Sequence, residues 1–188
     1  MFIAKRQSFD GNGGGGLADK LIYEYAPQGV VRTDSFRWGD GYVARSNCMY
    51  QGDNGYYVAG AFMEGIPSGF YSKDMWITTI RGDATHSGWI EIELPKPMKC
   101  TRIAWLDRAN NTQHIAVYTP FRMELHGSND NVNYVLLMKQ SYTESPLTDE
   151  NGFVTVSFEN YSKFKTYRLT CHGVFYDRVS IGRLRMYR

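Results

Sequence analysis

Residues 89–94 read Trp-Ile-Glu-Ile-Glu-Leu, with Ile90, Ile92 and Leu94 on one side of the chain and Trp89, Glu91 and Glu93 on the other. A period of two predicts a half-buried strand. Pro95 and Pro97 follow, and since proline cannot donate to a sheet ladder they are expected to end it. A second strand is predicted over residues 100–107. Its Ile103, Ala104, Trp105 and Leu106 are apolar at both parities, which predicts a central position. The alternation recurs downstream. Phe121, Met123 and Leu125 alternate with Arg122, Glu124 and His126. Residues 134–138 form a mostly apolar run. Val154, Val156 and Phe158 alternate with Thr155 and Ser157, Tyr167, Leu169 and Cys171 with Arg168, Thr170 and His172, and Leu184 and Met186 with Arg183 and Arg185. Turn formers fill residues 127–133, and a polar loop fills 141–152. Short alternating strands with no long helical pattern predict an all-β, antiparallel β-sandwich or jelly roll.

The start of the chain is less regular. Residues 1–10 are a short mixed arm carrying Phe2, Ile3 and Phe9, and Gly11–Gly16 (Gly-Asn-Gly-Gly-Gly-Gly) has the composition of a flexible hinge. Residues 1–16 are therefore expected to be either a loose tail or an arm that docks onto a partner. Residues 17–41 are expected to be an irregular connection, with a short helix or strand over 17–25. The sandwich is expected over residues 42–188, with a strand at 42–48, one turn of helix within 56–62 and a long irregular aromatic segment over 63–86.

Composition narrows the class. Fourteen Tyr, ten Phe and nineteen Gly in 188 residues fit a turn-rich β fold. A net charge of +2, with no basic run interleaved with aromatics, gives no argument for nucleic acid. No apolar run approaches the ~20 residues that span a bilayer. The N-terminus lacks the apolar core of a secretory signal. Cys48, Cys100 and Cys171 form no C-x-x-C pair, so neither a zinc site nor a complete disulfide framework is expected.

From residue 44 onwards the chain resembles the F5/8 type C family, also called discoidin-like domains. Ala44-Arg45-Ser46-Asn47 is similar to the family's opening strand, and Tyr57-Val58-Ala59-Gly60-Ala61-Phe62 to its Tyr-x-Ala-x-x-Ala-Phe-Asp segment. Gly88-Trp89-Ile90-Glu91-Ile92-Glu93-Leu94 resembles its Trp-Ile-x-Ile-Asp-Leu-Gly strand, followed by Thr101-Arg102-Ile103. Ser128-Asn129-Asp130 with Tyr134 resembles the Ser-x-Asp-Gly-x-x-Trp turn. Thr166-Tyr167-Arg168-Leu169 and Ile181-Gly182-Arg183-Leu184 resemble the last two strands. The resemblance implies a discoidin-like jelly roll, mostly non-catalytic, that binds glycans, phospholipid headgroups or proteins through loops at one end. It also raises a structural calcium as the one cofactor to consider. Met63 stands where the family often has an acidic residue near that ion, so the calcium is in doubt and no other cofactor is expected.

If the jelly roll holds, residues 49–55, part of 70–86, 108–119 and 172–180 gather at one end. The candidate ligand-binding residues there are Arg81, His86, Asn111, His114, Phe175 and Tyr176. Aromatic rings pack on the apolar face of a sugar, while planar polar groups bond its hydroxyls. The alternative is that these are ordinary loop residues, the aromatics plugging the sandwich end. Trp89 is expected to close the long loop that carries Arg81 and His86. Arg81-Gly82-Asp83 is read as a turn, and Glu91 and Glu93 as a solvated or interface face, not as catalysts. His126 and His172 face outward without an evident third metal ligand. No catalytic motif is present, so no catalytic residue and no metal ligand is assigned.

The expectation is a non-enzymatic recognition and adhesion module that binds a host-surface glycan. Its expected place is the surface of a bacteriophage particle (decoration, collar or tail fibre). It would be made in the host cytoplasm, docked to a larger assembly through residues 1–16 and homo-oligomeric. The alternatives are a purely structural decoration protein with protein-binding loops, and a carbohydrate-binding accessory module of an enzyme complex.

Overall fold

The computed structural model describes residues 20–27, 35–47, 58–65, 76–81, 87–106, 120, 122–144, 146–173 and 178–188, with side chains at all of these except 77–81 and 178. Among the described residues eleven strands are formed: β1 (Ser35–Trp38), β2 (Tyr42–Ser46), β3 (Trp76–Arg81), β4 (Ser87–Met98), β5 (Arg102–Leu106), β6 (Arg122–Ser128), β7 (Val135–Ser141), β8 (Phe153–Ser157), β9 (Phe164–His172), β10 (Arg178–Ile181) and β11 (Arg183–Tyr187), with a 3-10 turn at Val58–Phe62. The sheet orders are β1-β2-β4-β9-β6-β7, β10-β3 and β11-β5-β8, and every strand pair is antiparallel. This is the expected antiparallel β-sandwich of discoidin type. Strand β5 is the middle strand of its sheet, as its two apolar faces predict. Ile103 and Trp105 enter the main core, while Ala104 and Leu106 meet Phe153 on the opposite face.

Alternation decides what is buried. Ile90, Ile92 and Leu94 of β4 pack with Leu125 of β6 and Tyr167 and Leu169 of β9, all fully buried. Trp76 and Trp105 are the largest fully buried side chains of this core among the described residues. On the sheet's other face the same strands carry Trp89, Glu91 and Glu93 on β4, Arg168 and Thr170 on β9, and Glu124 and His126 on β6.

Four expectations are corrected. Strand β4 does not end before Pro95 but continues to Met98. The prolines interrupt the ladder, since the β4–β9 register shifts between Glu93 and Met98, without ending the extended backbone. Proline's fixed φ is compatible with a strand where no N–H is required. The segment over 63–86 contains β3, and the presumed loop over 172–180 contains most of β10. The segment over 17–41 is more than a connection. It supplies β1, and its Ile22, Tyr23 and Ala26 are core residues. Residues 20–22 run along β11, with Ile22 N–H bonded to Met186 O and Arg188 N–H to Lys20 O. Tyr23 hydroxyl donates to Leu184 carbonyl. Burial pushes its pKa well up, so it remains a donor. Residues 17–19 of the predicted helix or strand lie outside the described residues.

The turn after β6 forms as its motif predicts. Asp130 Oδ1 accepts from Val132 N (2.9 Å) and Asn133 N (2.8 Å), and Ser128 Oγ accepts from Asn131 N (3.0 Å). These bonds, foremost that from the Asn133 backbone, hold the Asp130 carboxyl far below its usual range. Asn131 has φ +61°, the left-handed region, where the family motif places glycine. Asn tolerates this conformation and a β-branched residue does not. The Asn131 carboxamide also bridges to Thr166 (2.5 Å) and Glu93 (3.4 Å). Asn131→Val is expected to cost about 1–2 kcal/mol from the backbone alone. Asn131→Gly should lose only the bridging bonds. Urea midpoints of the two variants would separate these contributions.

Candidate functional site

The six-stranded sheet fixes where the predicted loops begin and end. In register, Ser87 of β4 pairs with His172 of β9, His172 with Arg122 of β6, and Arg122 with Ser141 of β7. Ser46 at the end of β2 lies opposite Ile90. The stems of four segments therefore stand side by side at one end of the sandwich. Asn47 Oδ1 accepts from Trp89 N–H (2.7 Å), and Trp76 Nε1–H donates to Ser46 Oγ (2.8 Å), which ties β2, β3 and β4 together there.

The small sheet completes this end. Arg81, the last residue of β3, pairs with Arg178, the first of β10. Residues 82–86 connect Arg81 to Ser87, and residues 173–177 connect His172 to Arg178. Both connections join the Arg81–Arg178 pair to the Ser87–His172 pair. Asn111 and His114 lie in the connection from Leu106 to Arg122, whose end pairs with His172. His86, Asn111, His114, Phe175 and Tyr176 themselves lie outside the described residues, as do Gly82 and Asp83. Arg81 is placed by its backbone alone.

The described part of this end carries charge. Glu124 is approached by Arg122 (3.2 Å), Lys139 (3.7 Å) and His172 (3.5 Å). Burial, with the nearby Arg122 cation, lowers the His172 pKa, so the imidazole is neutral at pH 7. A neutral imidazole both donates and accepts, as hydroxyl ligands require. His126 is likewise lowered, chiefly by burial.

Residues 82–86, the loop that Trp89 is expected to close, lie outside the described residues. The Trp89 backbone anchors the loop end, and its ring lies against the Arg168 guanidinium (4.3 Å), which the Tyr134 ring also contacts (4.0 Å). Glu91 is not solvated. Its side chain is 2% exposed, held by Arg45 (3.1 Å), Arg168 (2.8 Å) and the Tyr134 hydroxyl (2.7 Å). Glu93 pairs with Arg45 (2.6 Å) and Lys165 (2.9 Å). Burial raises the Glu93 pKa, but bonds from Lys165 and Arg45 outweigh it and the net shift is downward. Burial and the bond to Glu91 raise that of Tyr134, so its hydroxyl stays a donor. The carboxylates pin neighbouring strands. The sequence signal for this was present, since arginines occupy the outward parity of the strands that flank β4.

The residues around Met63 do not fit a calcium ion. Met63 is 1% exposed and offers only a thioether. Nearby, the buried Arg183 guanidinium donates to the carbonyls of Gly60 (3.0 Å), Glu64 (3.3 Å), Gly65 (3.0 Å) and Gly182 (2.6 Å). Such a set of carbonyls could otherwise serve a hard cation. Here the protein supplies its own. Among the described residues no group of three or more His, Cys, Asp and Glu side chains is placed to hold a metal. Cys100 and Cys171 are buried, and burial pushes the Cys100 thiol up to about 12. Cys48 lies outside the described residues. No helix among the described residues is long and apolar enough to cross a membrane.

No protein-family model and no curated protein sequence matches the chain. Solved structures do. A family 32 carbohydrate-binding module from Clostridium perfringens NanJ, solved with galactose, superposes with a TM-score of 0.57 at 18% identity, over 78% of this chain and 93% of that one. CpGH89CBM32-5 from Clostridium perfringens, solved with GalNAc-β-1,3-galactose, gives 0.58 at 15% identity, over 78% and 95%. The family 32 module of Streptococcus pneumoniae EndoD gives 0.57 at 14% identity, over 79% and 96%. The chain thus has the fold of the family 32 carbohydrate-binding modules, a discoidin-like β-sandwich.

Proposed function

We propose that this chain is a non-enzymatic glycan-recognition module that takes a galactose-type sugar in the loops at the Ser87–His172 end. One observation supports the reading: the strand ends that lead into the loop segments adjoin at one end of a sandwich two of whose structural neighbours were solved with galactose-containing ligands. In this reading Phe175 and Tyr176 supply a stacking surface, and Arg81, His86, Asn111 and His114 supply polar contacts. Calorimetric titration of the full chain with galactose, N-acetylgalactosamine and glucose tests it. Binding of the galacto-configured sugars, weakened tenfold or more in Tyr176→Ala or His114→Ala, is expected. Equal silence towards all three sugars and across a glycan array would overturn the reading and favour protein-contacting loops.

The finer placement belongs to the same proposal. Residues 1–16, with three large apolar side chains and a glycine hinge, suit an arm that docks the module onto a larger, homo-oligomeric assembly such as a phage particle surface. A second reading is an accessory module of an enzyme. It is favoured by the likeness to the tandem family 32 modules of Clostridium perfringens ZmpB, in a structure that includes the M60 catalytic domain. Deleting residues 1–16 and measuring incorporation into the assembly discriminates between them.

A further inference from the structure

Among the described residues, the outer face of the six-stranded sheet carries six Arg or Lys ion pairs, to Glu91, Glu93 and Glu124. Register places its members in rows across the sheet. One row runs Arg45, Glu91, Arg168, His126, and the next runs Trp89, Thr170, Glu124, Lys139. Five cations, Arg45, Arg168, Lys165, Arg122 and Lys139, share three carboxylates, Glu91, Glu93 and Glu124. Arg37, exposed on β1 in register with Val43, adds a sixth. Asp130, in the turn after β6, is held by the N–H groups of its own turn. The face therefore has an excess of positive charge on a chain whose overall net charge is only +2.

We infer that this face is a second binding surface, for an anionic polysaccharide whose carboxylate or sulfate groups meet the basic rows. Charge complementarity selects the polymer's sign. The geometry selects its class. Trp89 and Tyr134 are both occupied by Arg168, so their rings do not serve as stacking platforms for nucleic-acid bases. The face is a broad sheet surface, not a helix or ribbon that enters a DNA groove. Arg45 on β2 and Arg168 on β9 stand two strands apart on either side of Glu91, about 10 Å, a spacing that suits a chain carrying charges at regular intervals. Buried Glu91 fixes Arg45 and Arg168 in place, so little ordering remains to be done on binding.

Affinity electrophoresis and calorimetry of the full chain with heparin, polygalacturonate and neutral dextran test this. The two polyanions should bind at 150 mM salt, weaken steeply as salt rises, and remain bound in excess galactose. The double variant Arg37→Gln, Lys165→Gln leaves the contacts to Glu91 and to Glu124 intact. It should bind the polyanions at least tenfold more weakly while its response to galactose is unchanged. Glu124→Gln should bind them more tightly, a gain that loss of folding does not produce. The inference is overturned if dextran binds as well as the polyanions, if galactose displaces them, if the double variant matches the wild type, or if a DNA duplex or an acidic peptide binds as well as the polysaccharides. Galactose binding can fail while polyanion binding persists, so the two readings fall separately.

Discussion

Replacing Arg183 by alanine is expected to lower stability by about 3–5 kcal/mol, because several buried charge-assisted hydrogen bonds are lost and their carbonyl partners are left in a dry site. Arg183 is 2% exposed, so water does not readily replace the guanidinium. Its partners lie before and after Met63 and at Gly182, and the side chain ties the 3-10 turn and its exit to the start of β11. For a chain of this length the loss corresponds to a fall in Tm of about 10 °C. Arg183→Lys should recover only part of it, since an ammonium is a point donor and cannot span carbonyls that the planar fork reaches from both sides. The wild-type Tm should be unaffected by EDTA or millimolar calcium. A calcium-dependent rise in Tm would mean that a metal binds beside the guanidinium, and an Arg183→Ala protein as stable as the wild type would mean that the carbonyls find other donors. Differential scanning calorimetry with and without chelator reads both outcomes.

The same residue shows where sequence is legible and where it stops. The parity of Leu184 and Met186 marks β11 as a strand, and the structure buries both. Parity also places Arg183 on the opposite side, which for an arginine reads as solvent. What buries it is the 3-10 turn at Val58–Phe62, more than a hundred residues away. The pattern is general in this fold. Strands β4, β5, β6, β8 and β9 are legible because each has one apolar parity or two. Strand β3, Trp-Ile-Thr-Thr-Ile-Arg, is not, because its apolar residues follow neither parity. Strand β10 has four residues and pairs only with β3, so missing one means missing both. The prolines of β4 mislead because they forbid a hydrogen bond, and a strand whose ladder shifts at that point does not need one. For the candidate site, the loop stems are legible from the order of strands. The outer-face cluster is not, because alternation says which way Glu91 points and not that Arg45, Tyr134 and Arg168 will cover it.

Glu91→Ala is expected to destabilise the protein by about 2–4 kcal/mol, less than a fully buried charge network would give. The discount follows from the partners. Glu91 is buried, but Arg45 and Arg168 are 32% and 26% exposed and can recover solvent when the carboxylate is gone. Tyr134 loses the acceptor for its hydroxyl and Arg168 loses the group that seats it between two rings. Glu91→Gln keeps the shape and one acceptor and should cost about half as much. The carboxylate holds together three strands that carry the basic rows, so its removal has opposite effects on stability and on charge. Urea unfolding should show the loss of stability, while heparin affinity at fixed salt should rise, because two guanidinium groups are released from their counter-charge. A variant that loses both stability and heparin affinity would mean that the seating of Arg45 and Arg168 matters more to the ligand than their charge. A variant that loses neither would mean that β2, β4 and β9 are held together by their backbone ladders and inner faces alone.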